Sequence, residues 1–288
     1  MKLTTYLRDG QARLGLIEGE NLIDFNDAQP QVPADMRAAL EAGVDLQAAA
    51  RAAHESTAAR LALDTVTLAP LVPEPGKFIC LGLNYFDHAK EGGREKPDYP
   101  WFFFRGKSSL LADQEPGRVP KISSKFDYEA ELAVIIGRSV PRHVSQQEAL
   151  DYVFGYSCFN DMSVRDYQKR TPQWTIGKNF DATGGFGPVL VTADELPQGA
   201  EGLNIQCVLN GEVMQNATTS DMIWSVAETI ALLSECLTLE PGDVIAMGTP
   251  AGVGQARTPQ VWMKEGDTVE IRIEGIGTLT NPILAEAV

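Results

Sequence analysis

From Lys77 to the C-terminus the chain is built from short apolar runs: KFICLGL, PWFFF, ELAVIIG, GPVLVTA, NIQCVLNGEV, DVIAMG and TVEIRIEGIGTL. Runs rich in β-branched and aromatic residues and bounded by Gly, Pro, Asn or Asp read as strands. A doubly wound parallel sheet needs regular strand–helix alternation, and none is present. The expected fold is therefore mainly β or α+β, with an antiparallel or mixed sheet and a few helices. Asn210–Gly211, lying between two strand runs, predicts a tight hairpin. Helices are expected in NYFDHAKEG, SQQEALDYV and TSDMIWSVAETIALLSECL; in the last, Ile223, Val226, Ile230 and Leu233 recur at helical spacing.

The N-terminal quarter reads differently. LTTYL, ARLGLIEG and NLIDF, separated by DG and EGE, predict small strands joined by tight turns. Pro33 to Leu63 is alanine-rich and interrupted at Gly43, which predicts two short helices. LAPLVPEPGK, with Pro70, Pro73 and Pro75, stops helix and stiffens the chain. It reads as a linker between a small N-terminal α+β domain (1–70) and a main domain (71–288).

Charge narrows the partners. With 39 Asp and Glu against 24 Lys and Arg in 288 residues, the formal charge is −15, and no basic block is present to track phosphates. Nucleic acid and anionic membrane surfaces are set aside; a small molecule is the expected partner. Cys80, Cys158, Cys207 and Cys236 form no C-x-x-C pair. No signal-peptide pattern opens the chain, and no run approaches the roughly 18 apolar residues of a spanning helix. A cytoplasmic location is expected. Walker, zincin, nucleophile-elbow and dinucleotide fingerprints are also missing.

FDYEAELAVIIG, Phe126 to Gly137, carries an apparent electrostatic defect. On a strand, Asp127, Glu129 and Glu131 share one face, opposite Tyr128, Ala130, Leu132 and Val134. Carboxylates about 7 Å apart along a strand repel when both are ionised and dry. A solvated edge would relieve this, and so would a hard divalent cation with oxygen ligands. Asp161, in GYSCFNDMSVRDYQ, offers a third carboxylate from a neighbouring strand, followed by the basic residues Arg165 and Lys178. Asp127 is either an outer partner of this set or lies at the solvent end of the strand. In LGLNYFDHAKEGG, a helix over Asp87 to Glu91 places His88 and Glu91 at i,i+3, where a carboxylate can orient an imidazole. His54 and His143 read as surface residues. The glycines of GTPAGVG, at 248, 252 and 254, let backbone amides approach an anion closely. PWFFF and RTPQW either line a pocket or pack the core, and core is expected for PWFFF.

Taken together, NYFDHAKE, FDYEAELAVIIG, GYSCFNDMSVRDYQ, TIGKNFD, LNGEVMQ and LTLEPGDVIAMGTPAGVG resemble, in order, the fumarylacetoacetate hydrolase family. The resemblance implies a mixed β-sandwich roll as catalytic domain, a homodimer, and a Mg²⁺ or Mn²⁺ ion held by Glu129, Glu131 and Asp161. It implies Lys178 as catalytic lysine, Arg165, Gln168 and Thr249 as substrate contacts, and His88 with Glu91 as a water-activating dyad. FFFRGKSS departs from the family pattern and leaves open whether Arg105 or Lys107 stands near the site. The implied activity is metal-dependent C–C hydrolysis of an acylpyruvate-like 2,4-dioxo acid. Decarboxylation or isomerisation of a 2-oxo diacid such as oxaloacetate is the alternative in the same site, and a non-catalytic metal-binding module the remote one.

Overall fold

The computed structural model describes residues 1–93 and 95–286; the last two residues of the expected main domain lie outside them. Among the described residues a 12-stranded sheet runs through 60–62, 21–24, 11–18, 2–8, 184–192, 153–161, 130–136, 244–246, 78–81 and 102–104, with two short strands attached off this path. A 5-stranded sheet, in the order 212–218, 204–209, 268–273, 277–285 and 117–119, packs on one face. Most pairings are antiparallel; 244–246 with 78–81, 277–285 with 117–119 and 184–192 with 110–111 are parallel. The sheet is mixed, as the missing strand–helix alternation requires. Among the described residues no helix is long and apolar enough to cross a membrane.

The central strand, Ala130–Ile136, shows why the apolar run is continuous rather than alternating. Leu132, Val134 and Ile136 enter the core shared with the 5-stranded sheet, while Ala133 and Ile135 enter a second core on the opposite face. That second core is closed by the alanine-rich helices Met36–Glu41 and Leu46–Glu55. In the longer helix Leu46, Ala49, Ala50 and Ala53 form the buried stripe, and small side chains let it lie close to its neighbours. Asp35 and Asp45 cap the two helices by accepting the backbone N–H of Ala38 and Ala48. Gly43, at φ 64°, makes the break between them. Strand Lys2–Arg8 pairs with strand Gly184–Thr192, so the N-terminal hairpins continue the large sheet.

Asn210 and Gly211 take φ of 52° and 83°, the left-handed pair of a two-residue hairpin, and join strands Asn204–Leu209 and Glu212–Thr218. The helix expected over TSDMIWSVAETIALLSECL is shorter: it runs Val226–Ser234, with Ser225 as its cap. The first third of the expected span is instead a 3-10 turn, Thr219–Asp221, followed by residues tied to Asn84 and Tyr85. The Asn84 carbonyl accepts from Ile223 N–H, Asn84 Oδ1 accepts from Trp224 N–H, and Tyr85 bridges Met222. PWFFF also departs from expectation. It forms edge strand Phe102–Phe104, in which Phe103 is buried while Trp101 and Phe104 stay substantially exposed.

Candidate active site

Register builds the acid cluster. Strands Ala130–Ile136 and Val153–Asp161 pair with Ala130 opposite Asn160, and Asp161 N–H donates to the Glu129 carbonyl at 2.9 Å. The ladder is interrupted at Tyr128–Glu129 and at Met162 and resumes in the same register with Asp127 opposite Ser163. Phe126, Tyr128, Ala130, Leu132 and Val134 all enter one core, so Asp127, Glu129 and Glu131 share the opposite side, as strand alternation predicts. There Glu129 and Glu131 converge with Asp161, all buried, each offering a carboxylate oxygen within 4.8 Å of the others.

Three buried cations meet them. Lys178 Nζ lies 2.7 Å from Glu129 Oε2 and 2.5 Å from Asp161 Oδ2. Gly177 permits this approach, since a Cβ there would stand 2.3 Å from the backbone N of Gln168. Arg165 Nη1 reaches Glu129 Oε1 at 2.6 Å, and Arg105 Nε reaches Asp161 Oδ1 at 2.5 Å. The departure at FFFRGKSS is thereby resolved: Arg105 is fully inside the cluster, whereas Lys107 pairs with Glu74 at the surface.

Burial alone would raise the Glu129 carboxyl, but Arg165 and Lys178 outweigh it and hold that group below the usual range. Burial also works against the Lys178 ammonium, yet Asp161 and Glu129 keep its pKa raised. Among the described residues Glu131 makes no direct ion pair, and the pull of nearby Lys178 does not outweigh what opposes it. Its Oε2 accepts from Gly248 N–H at 2.9 Å, and burial followed by the like charges of Asp161 and Glu129 pushes its pKa well above the ordinary value. The donor set therefore fits a divalent cation. It consists of hard carboxylate oxygens, close together and dry, and among the described residues the Glu131 carboxylate makes no ion pair.

Asp127 is an outer partner and not a solvent-end residue. It is fully buried, accepts the N–H groups of Tyr128, Gly254 and Gln255, and pairs with Arg165 Nε at 2.8 Å. Asp127→Asn places an amide NH₂ where donors already converge and leaves Arg165 half paired. We expect it to cost about 3 kcal/mol of stability in urea titrations, more than the sequence position suggested. Unchanged stability would show that Asp127 does not hold Arg165.

The His88–Glu91 pair forms as its i,i+3 spacing predicts. Helix Phe86–Glu91 brings His88 Nδ1 to 2.7 Å from Glu91 Oε1, and Glu91 Oε2 accepts from Gly252 N–H at 2.9 Å. The glycine-loop amides do bind anions, but those are the protein's own carboxylates: Glu131, Glu91 and Asp127. Gly248 and Gly252, at φ 81° and 104°, need glycine to turn these amides inward.

His88, Glu91, Glu129, Arg165, Gln168 and Lys178 all line one cavity of about 340 Å³. Arg165 Nη1 also bonds Gln168 Oε1 at 3.1 Å, and Arg165 Nη2 is buried without a protein partner. Thr249 is buried just behind: its Oγ1 accepts from Gln215 Nε2, and Gln215 Oε1 in turn accepts from Ala130 N–H. Gln215 thus clamps the glycine loop to the acid-bearing strand. Sequence reading missed it because a register shift between Cys207 and Val208 carries it inward against simple alternation. It also missed Asn84, whose amide joins the segment ahead of helix Phe86–Glu91 to Trp224 and Met247. His54 pairs with Glu18 at the surface, away from this cavity.

Fold and site define a sheet-rich α+β protein whose mixed sheet carries a buried three-carboxylate cluster beside a cavity lined by His88 of a short helix. The chain belongs to the fumarylacetoacetate hydrolase family: residues 77–284 match the model described as fumarylacetoacetate (FAA) hydrolase C-terminal. It is 44% identical over 230 residues to oxaloacetate tautomerase YisK of Bacillus subtilis (strain 168), covering 77% of this chain and 74% of that protein. It is 38% identical over 273 residues to the mitochondrial oxaloacetate tautomerase fahd2 of Xenopus laevis, covering 94% of this chain and 85% of that one. Among solved structures, maleylpyruvate hydrolase from Sphingobium sp. SYK-6 in complex with manganese (II) ion and pyruvate aligns over 100% of both chains, with TM-score 0.83 and 30% identity.

Proposed function

We propose that this protein is a divalent-cation-dependent enzyme that interconverts the keto and enol forms of a 2-oxo diacid of the oxaloacetate type. The observation that carries this reading is the His88–Glu91 pair in the wall of the same cavity as Glu129, Arg165 and Lys178. The tautomerase names of two relatives point the same way.

Glu129, Glu131 and Asp161 are the residues that would hold the cation. Mg²⁺ or Mn²⁺ bound there supplies Lewis-acid polarisation of a 2-oxo group, which makes hydrogen on the adjacent carbon acidic. Glu91, accepting from Nδ1–H, leaves the lone pair on His88 Nε2. His88 Nε2 takes a proton from C3, the C3–H electron pair forms the C2=C3 bond, and the carbonyl π pair moves onto oxygen. Lys178 and Arg165 face the negative charge that builds there. Arg165 and Gln168, bonded to each other in the cavity wall, are the groups that would bind a substrate carboxylate. The proton then passes from His88 to the oxygen, and no water is consumed.

His88→Ala is expected to lower the rate of enol disappearance, followed by ultraviolet absorbance with Mn²⁺ present, by about 10²–10⁴-fold. Mn²⁺ affinity should stay within twofold of the parent. Retention of the parent rate would sink the assignment of His88 as base.

A second reading, hydrolysis of an acylpyruvate, is favoured by the likeness to the maleylpyruvate hydrolase complex. There His88 would take a proton from water, water oxygen would add to the C4 carbonyl, and the C3–C4 bond would break with its electrons left on C3. Identifying the products from oxaloacetate and from an acylpyruvate separates the two. Decarboxylation of oxaloacetate needs no base on water, so carbon dioxide release that survives His88→Ala would mark that outcome. A homodimer in the cytoplasm and a supporting role for residues 1–70 belong to the same proposal; sedimentation velocity tests the first.

A further inference from the structure

The cavity that holds His88 and Lys178 does not end at a backbone wall. Phe103, Gln168, Lys169 and Trp174 line it on one side, and the same four residues line an adjoining groove of about 880 Å³. That groove is walled further by Trp101 and Phe104, which are 39% and 48% exposed.

Trp174 stands between the two spaces. Its ring meets Trp101 and Phe103 edge-on, with centroids 5.4 and 5.9 Å apart. On the cavity side it fills a notch left by Gly82, where a Cβ would stand 2.4 Å from Trp174 Cζ3. Trp174 is also the residue from which helix Thr175–Lys178 starts, so the partition and the buried lysine are carried on one short segment.

We infer that Trp174 determines substrate length: in place, it confines the cavity to short 2-oxo diacids, and when removed it opens the aromatic groove to the flat apolar acyl group of a larger 2,4-dioxo acid. The inference rests on the 2-oxo acid reading of the site. A single half-buried side chain, held by ring contacts and a glycine notch, makes the boundary, so one substitution can move it. The groove beyond offers the rings of Trp101, Phe102 and Phe104 to a planar apolar tail, with Lys169 and Arg170 also in its lining.

Binding measured by calorimetry at saturating Mn²⁺ tests this without relying on turnover. The ligands are oxalate, which fills only the 2-oxo acid end, and benzoylpyruvate, which adds a phenyl group at the acyl end. In the parent, benzoylpyruvate should bind less tightly than oxalate. In Trp174→Ala the affinity ratio of benzoylpyruvate to oxalate should rise by about tenfold or more, with oxalate itself within about twofold. Trp174→Phe, which keeps an apolar ring in the notch, should move the ratio the same way by a smaller factor. If Trp174→Ala melts too low to titrate, Trp174→Phe decides alone. An unmoved ratio in the folded variants overturns the assignment of Trp174. Failure of oxalate to bind the parent overturns the 2-oxo acid reading instead, and the inference with it.

Discussion

Glu131→Gln is expected to reduce cation-dependent turnover by more than about 100-fold, beyond the range seen when only an outer partner of a ligand is lost, while leaving the cation-free protein at least as stable as the parent at pH 7. The two effects oppose each other because of how charge is distributed in the cluster. Arg105, Arg165 and Lys178 are committed to Asp161, Asp127 and Glu129, and the partner on Glu131 is a backbone amide from Gly248. Burial and the neighbouring acids raise the Glu131 pKa above its ordinary 4.5. A carboxyl raised on folding stabilises the fold below its unfolded pKa, and that stabilisation is lost as pH climbs through the folded value. The cation-free parent should therefore lose stability from about pH 4.5 upward on account of this group. Glutamine, uncharged and of the same shape, still accepts from Gly248 and removes that slope. Urea titrations in EDTA at pH 5 and pH 8 read the slope, and melting with and without Mn²⁺ reads the cation. A Mn²⁺-induced rise in melting temperature equal to the parent's would show that Glu131 is no ligand.

What the sequence carried was local. The strand runs, the Asn210–Gly211 turn, the break at Gly43 and the i,i+3 spacing of His88 and Glu91 each depend on a few neighbouring residues, and each has the form expected of it. What stayed hidden depends on contacts between distant segments. Alternation puts Asp127 on the face of Glu129 and Glu131, but that it is buried behind them and not at a solvent end follows from Arg165 and from the amides of Gly254 and Gln255. Helix Val226–Ser234 starts late because Asn84, about 140 positions away, claims the backbone ahead of it. Arg105 was visible only as a departure from a pattern, and its place on Asp161 depends on pairing of strand 102–104 at the sheet edge. The acids were legible as residue types, and so were Arg165 and Lys178. Which acid each cation pairs with was not, because that depends on how separate segments pack.

Lys178→Met should be the most destabilising single change in the cluster, costing about 3–5 kcal/mol in the cation-free protein at pH 7. Lys178 is 2% exposed and touches both Glu129 and Asp161, so its loss leaves two buried carboxylates, each with one arginine. The pH dependence has a definite sign. In the parent, burial would raise Glu129, but Arg165 and Lys178 hold it below 4.5, at about 2. A lowered carboxylate stabilises the fold above its unfolded pKa and loses that contribution as pH falls through the folded value. The deficit of Lys178→Met should therefore be full at neutral pH and close as pH falls from about 4.5 towards 2. Mn²⁺ supplies positive charge to the same oxygens, so it should restore a larger share of stability in this variant than it adds to the parent. Turnover should nevertheless stay about 10²–10³-fold down, because the ammonium that faces the developing oxyanion is gone. Urea titration in EDTA, repeated with Mn²⁺, separates these effects. Parent-like stability at pH 7 without the ion would mean that the arginines alone balance the acids, leaving Lys178 a purely chemical role.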